Sequence, residues 1–511
     1  MIELEAPQKI SRTVGRRRPV AIVDIGSNSM RLVVYDGLTR TPIPMFNEKV
    51  MCALGQGLMS SGMLNPEGVP SAHDGLARFV GLAKAMKVAW IDIMATAAIR
   101  DAKDGPAFVL EAERRNGVRL DVLSGEDEAK LAALGIFCGV PDAEGVVADL
   151  GGGSMDLVEV GKGKFGAVAS LPLGVLRIAE ASGNDREQAK KLIDQYLAEL
   201  DWLKRVEGKT LYAVGGAWRA IARAAMIQTN YPLMIIDNYA LSNSEAVALM
   251  GLFAQQSRKS LEKFSGISKK RLATLPLAAL LMSRLIQAAR PANVKFSVYG
   301  LREGRFFERL PTHLKQEDPL LSACRRYARA TSRFTADSSE MMHWLANIFS
   351  DETAPEKRLR QAACKLGDSF WHENPDYRAE QAFLKVLRLP IMGLEHSDRV
   401  FLALALHTRY NGDDSAPITL SVRRLLNEAA TKRALVLGAA MRLGYLLSAG
   451  SPGIVSHTKL KIQKGRLILH IPEGDPIYTR EAMDKPLDKL AKLLDCAGAD
   501  IRTFTPRARH I

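Results

Sequence analysis

Cysteine is scarce in this chain. There are five in 511 residues (Cys52, Cys138, Cys324, Cys364 and Cys496), odd in number, far apart and never in CxxC spacing. That excludes a disulfide scaffold and a cysteine-rich zinc module, and it points to a reducing, cytoplasmic compartment. Long apolar runs are missing as well. None approaches the roughly 20 residues that span a bilayer, so no membrane partner is expected. The opening stretch "MIELEAPQKISRTVGRRRPV" has no apolar core. It reads as a flexible arm over residues 1–18 rather than a secretory signal, with Arg16, Arg17 and Arg18 solvated.

Cationic charge, by contrast, is in surplus: 70 Lys and Arg against 56 Asp and Glu, a net +14. Such a surplus concentrates polyanions near a protein without saying which one. Hydrophobic residues make up 47%, enough for two to four domains each with its own core.

Two short β-rich runs in "PVAIVDIGSNSMRLVVYDG" meet at a Gly-Ser-Asn turn, and "PIPMFNEKV" reads as a third strand. Helical and strand-like segments then alternate to "SGEDEAKLAALGIFCG", giving the order βββαβαβα. The order begins again at "GVVADLGGG" and "MDLVEV", and closes with the strand "VKFSVYG". The acids that head the two turns, Asp24 and Asp149, lie 125 residues apart. That spacing marks a duplicated domain-sized unit. From about residue 311 to 450 the pattern is helical, and "HTKLKIQKGRLILHIPEGD" adds a terminal β-hairpin with Gly465 at its turn.

Glycine leaves successive backbone N–H groups unshielded, and neighbouring amides aimed into one hollow bind anions. "DLGGGS" (Gly151, Gly152, Gly153, Ser154) and "DIGSNS" (Gly26, Ser27, Asn28, Ser29) therefore read as two halves of a phosphate cradle. Acids beside phosphate make sense with a divalent cation between them. Magnesium takes one or two carboxylates plus water and phosphate oxygen, and Asp24, Asp149 and Asp156 are the candidate ligands.

These paired loops and the duplicated unit resemble the actin, Hsp70 and sugar-kinase superfamily. Within it the chain resembles the exopolyphosphatase and guanosine-pentaphosphate phosphohydrolase family. The residues that carry the likeness are "DIGSNSMRLVVYD", "ATAAIRDA", "SGEDEA", "DLGGGSMDLV", "SLPLGVLR", "YPL" and "YGLREG", in order over residues 20 to about 305. The resemblance implies an α/β fold of two duplicated ribonuclease-H-like (actin-like) lobes, a helical HD-like C-terminal domain and a small terminal β-hairpin. The expected boundaries are 19–140, 141–310, 311–450 and 451–511. It implies hydrolysis of a terminal phosphoanhydride of inorganic polyphosphate, assisted by Mg2+, with potassium activation left open. The alternatives are guanosine pentaphosphate as substrate and, in a different class, a phosphorylated-ligand sensor without turnover. It implies a homodimer and requires no nucleic acid.

The catalytic glutamate of "SGxEEA" falls on Glu128. On spacing alone Glu126, Asp127 and Glu128 would be helix-cap acids. Arg100, where strand meets helix, is placed to clamp the terminal phosphate. The third glycine turn, "AVGGAW", departs from the family, and Trp218 there argues against a nucleotide base. No His-Asp dipeptide occurs in residues 311–511, so His372, Asp376, His396, Asp398 and His407 are expected in a degenerate domain. Arg325, Arg326, Arg329, Arg333, Arg358, Arg360, Lys459, Lys461, Lys464 and Arg466, with Lys269, Lys270 and Arg271, would suit a polyphosphate track.

Overall fold

The computed structural model describes residues 18–261, 264, 266–334, 338–478 and 480–505. The arm with Arg16 and Arg17 lies outside them, as does the side chain of Lys270. The chain divides into a unit ending at Gln316 and a second beginning at Glu317.

The first unit holds two sheets of related plan. β1 (Val20–Ile25), β2 (Ser29–Tyr35), β3 (Pro44–Met51), β4 (Ile91–Ala95) and β5 (Asp121–Val122) are ordered β3-β2-β1-β4-β5. β1 pairs antiparallel with β2 and parallel with β4. The second sheet comprises β6 (Gly145–Leu150), β7 (Met155–Gly161), β8 (Lys164–Leu171), β9 (Thr210–Val214), β10 (Tyr239–Ser242) and β11 (Asn293–Phe296), ordered β10-β11-β9-β6-β7-β8. Central β1 and β6 are buried almost throughout, as continuous apolar runs covered on both faces should be. Edge strand β3 alternates between exposed and partly buried residues.

Some elements differ from the sequence reading. β10, four residues long, has too little pattern to register as a strand. The last strand stops at Phe296, and Gly300 precedes the next helix, Leu301–Glu308, with its N–H donating to Glu303 Oε2 at 3.0 Å. The helix Lys269–Ala289 is long and apolar enough to cross a membrane by length and composition, contrary to expectation. Its Leu272, Leu275, Leu281 and Leu285 are packed into the second-lobe core.

The second unit is mainly helical, including Ala354–Leu366, His396–Arg409 and Glu428–Ser448. Its terminal hairpin, β12 (Lys459–Gln463) and β13 (Arg466–Pro472), gains a parallel partner, β14 (Ala499–Phe504), so the hairpin is part of a three-stranded sheet.

The helices Gly125–Gly139 and Leu301–Glu308 meet backbone to backbone. A Cβ on Gly304 would lie 1.8 Å from the Leu131 carbonyl oxygen, and one on Gly135 2.4 Å from that of Gly300. Gly304→Ala should therefore lower the stability of the first unit by about 1–3 kcal/mol, through overpacking. Gly251→Ala, in the helix Asn243–Gln255 with open space around it, should instead raise it by about 0.5–1 kcal/mol. Denaturant unfolding of the two variants against the parent checks the contrast.

Candidate functional site

Both glycine turns, Glu128 and the three candidate acids line one cavity of ≈ 500 Å³ in the first unit. Each turn is closed by its own backbone: Gly26 N–H donates to Ser29 O at 3.1 Å, and Gly151 N–H to Ser154 O at 3.0 Å. The amides of Gly26 and Gly151 are thus spent inside the turns, which removes them from the expected cradle. Other amides take their place. Ser27 O and Asn28 O accept from Gly55 and Ala53. Gly151 O and Gly152 O accept from Val175, Leu176 and Arg177 at the start of the helix Val175–Ala181. A trans peptide points its N–H opposite its C=O, so these tethers turn the amides of Asn28, Gly152 and Gly153 the other way. None of those three donates a backbone bond among the described residues. Space is tight at the tip, where a Cβ on Gly153 would sit 3.1 Å from Ser27 Oγ, and closed at Gly174, where one would sit 2.3 Å from the Gly152 carbonyl carbon.

The duplication has diverged at the acids. Asp149 stands directly across its hairpin from Asp156, whereas Asp24 stands across from Arg31. Burial and then the charge of Asp156 push Asp149 up to about 7. Asp156 is pushed up to about 6 by burial, opposed by hydrogen bonds from Ser170 (2.5 Å) and Ser154 (3.0 Å). The Ser154 hydroxyl therefore serves Asp156 and is not the phosphate donor expected of it. Burial also raises Asp24, and Arg302 at 3.6 Å opposes this.

Of the cavity's arginines, sequence reasoning offered only Arg271 to phosphate, as part of a polyphosphate track, and missed the other three. Arg31, Arg219, Arg271 and Arg302 all line the cavity. Nε of Arg31 and of Arg302 is buried without a hydrogen-bond partner among the described residues, which is an open demand for an anion. Arg31 and Arg302 lie in quoted motifs. Arg219 carries no signal of its own, and Arg271 stands in the basic run expected to extend a polyphosphate track.

The three acids of "SGEDEA" separate by direction. Glu126 pairs with Lys130 in solvent, and Asp127 joins Ser124 in the helix cap. Glu128 faces the cavity, where burial and then Asp156 raise its proton affinity well above the ordinary carboxylate value, against Arg100. Arg100 is not among the residues lining the cavity. Its Nη1 donates to Glu128 Oε2 and Leu123 O, both at 3.1 Å, so it holds Glu128 where a phosphate clamp was expected.

At the third turn only glycine fits at 215: φ is +106°, and a Cβ would lie 2.4 Å from Leu150 O. Trp218 does not fill this turn. It is buried in the lobe core with Nε1 on Ala278 O. The Arg271 guanidinium covers the turn instead, 2.3 Å from where a Gly216 Cβ would be.

Among the described residues no three His, Cys, Asp or Glu side chains form a metal cage. Magnesium that keeps water and phosphate oxygens needs fewer. The donor set fits at the second hairpin, where two acids oppose each other and the Asp149 carboxylate takes no hydrogen bond among the described residues. It fits less well at Asp24, which faces arginines.

In the second unit His372 and Asp376 are exposed, Asp398 is half-buried, and His396 and His407 are buried. Several arginines of the expected track are neutralised locally: Arg333 by Asp368, Arg358 by Asp318, Arg360 by Glu352 and Arg466 by Asp500.

Two sheets of related topology, each with an antiparallel hairpin joined to a parallel strand, define an actin-like α/β protein. An exopolyphosphatase structure from Cytophaga hutchinsonii shares the fold, with a TM-score of 0.50 at 21% identity over 56% of this chain and 96% of that one. Residues 33–313 match the profile described as "Ppx/GppA phosphatase family", and residues 320–500 match "Exopolyphosphatase, C-terminal". The chain belongs to the Ppx/GppA phosphatase family. Similar curated proteins include Retrograde regulation protein 2 of Saccharomyces cerevisiae, 27% identical over 78% of this chain and 73% of that protein. Exopolyphosphatase 1 of Mycobacterium bovis is 25% identical over 57% and 88%.

Asp149 and Asp156 hold protons in the folded chain that the unfolded chain has released from about pH 4 upward. Their contribution to stability is therefore greatest at the acid end of that window and is lost as pH rises toward 7. With chelator present, the unfolding midpoint should be higher at about pH 5 than at about pH 8, and Asp149→Asn should shrink the difference. An unchanged difference in that variant contradicts the crowding of acids at the second hairpin.

Proposed function

We propose that this protein is a magnesium-dependent exopolyphosphatase that removes the terminal phosphoryl group of inorganic polyphosphate as orthophosphate. One observation carries the reading: a single cavity is lined at once by both acid-headed turns, by Glu128 and by four arginines. Phosphoanhydride hydrolysis needs a clamp, charge neutralisation and a group that orients water. The Asn28, Gly152 and Gly153 amides with Arg31 and Arg302 form the clamp. Glu128 takes a proton from the attacking water as oxygen bonds to the terminal phosphorus. The bridging P–O bond breaks, and the shortened chain leaves with the bridging oxygen as its new terminal oxyanion. A magnesium ion held by Asp149 and Asp156 would supply neutralisation of the phosphoryl oxygens.

Hydrolysis of the 5′-terminal phosphate of guanosine pentaphosphate would use the same atoms. Arg271 over the third turn favours a further phosphate there over a base, and the net +14 favours a polymer. The regulatory name of the yeast relative supports a sensor without turnover, and against it stands Glu128 facing the cavity. We place the protein in the cytoplasm as a homodimer, on the scattered cysteines without CxxC spacing and the family resemblance.

Orthophosphate release from long polyphosphate and from guanosine pentaphosphate, measured side by side, should favour the former. Glu128→Gln should keep polyphosphate binding and lose about 10²–10⁴ in kcat. Wild-type-like turnover in that variant removes Glu128 as the base. Neutralising Asp149 or Asp156 should raise the magnesium concentration needed for half-maximal rate, and an unchanged titration contradicts the metal assignment.

A further inference from the structure

The helix Val175–Ala181 touches two parts of the site. Its first amides hold the Gly151 and Gly152 carbonyls and so aim the glycine turn. In the same turn Arg177 reaches out of the second lobe, and its Nη2 donates to Asp101 Oδ2 at 2.6 Å. Asp101 ends the short helix Ala97–Asp101 of the first lobe. Its other oxygen, Oδ1, accepts from Arg100 Nε at 3.2 Å, and Arg100 Nη1 continues to Glu128 Oε2 at 3.1 Å. Four side chains of alternating charge thus run unbroken from the glycine turn to the glutamate facing the cavity.

The inner end of this relay is withdrawn from water and its Asp101 link is more open: side-chain exposure is 13% at Glu128, 24% at Arg100, 31% at Asp101 and 17% at Arg177. Charge-assisted bonds are shorter and stronger than neutral ones, and a guanidinium adds geometric direction to them. A guanidinium is a rigid plane. Asp101 grips Arg100 at Nε, while Glu128 and the Leu123 carbonyl grip it at Nη1. Anchors on two nitrogens fix the plane, and the plane fixes the Glu128 carboxylate. Without Asp101 the plane pivots on a single nitrogen.

We propose that Arg177 and Asp101 are positioning residues: the ion pair they form sets Arg100 and, through it, the orientation of Glu128, so that the base is in place only while the second-lobe helix and the first-lobe helix are engaged. The inference rests on Glu128 being the base. A pair that merely clamped the lobes would alter stability or substrate affinity and leave Glu128 where it is.

The test uses the full chain with Arg177→Gln, Asp101→Asn and Arg177→Lys, assayed with tripolyphosphate. Arg177→Gln and Asp101→Asn should lower kcat about 10- to 100-fold, part of what a positioned base supplies, with KM within about threefold and an unchanged thermal midpoint. Arg177→Lys, which keeps the charge without the planar fork, should recover part of the loss. Crystal structures of Arg177→Gln and Asp101→Asn should show Arg100 and Glu128 displaced while Ser154 and Ser170 still hold Asp156. If Glu128 keeps its position, or kcat stays within about twofold of wild type, the proposal is overturned. A variant that fails to fold leaves the other to decide. Should the wild type release no orthophosphate, the hydrolase reading fails separately, and the Glu128 positions in the crystals still judge the coupling.

Discussion

Carboxylates buried side by side lose hydration and repel one another, and the arrangement of this site answers that cost at each acid. Asp156 is held by two serine hydroxyls, Asp24 lies by Arg302, and Glu128 is gripped by Arg100. Asp149 has Arg219 in its field and no hydrogen bond to its carboxylate among the described residues. The glycines of the turns bring no side chain of their own, so their amides can offer positive dipole to an anion without adding to the crowd of acids.

Duplication has produced two hairpins with different chemistry. At equivalent positions one carries an arginine (Arg31) and the other an aspartate (Asp156), each directly opposite the acid that heads its turn. One hairpin therefore presents cation to an incoming anion, and the other presents paired acids that suit a cation. The difference at this one paired position gives the cavity a polar axis.

Much of the site was legible in the sequence because its turns are. "DIGSNS" and "DLGGGS" have spacing and composition that only close backbone approach explains, and Glu128 sits in a motif. What was hidden depends on direction in space. Nothing local says that Glu128, rather than Glu126, turns inward, or that Arg100 grips that glutamate instead of a phosphate. The amides of Gly26 and Gly151 looked available until their turn bonds were seen. Ser170 and Arg177 lie in a quoted motif that gave them no role, and they meet the site's acids, as Arg219 and Arg271 meet its cavity, only in the folded unit. The duplicated sheets were readable from apolar runs, while β10, at four residues, fell below any pattern.

The glycine crossing of Gly125–Gly139 and Leu301–Glu308 has a mechanical meaning. With a carbonyl lodged where a methyl would be, one rod cannot glide along the other, because each step would drive oxygen into an α-carbon. Swivelling about the crossing is left as the easy motion, and the crossing works as an axle. Glu128 and Arg302 both stand in the opening turns of these rods, so a swivel about the crossing would shift these two side chains relative to each other across the hollow.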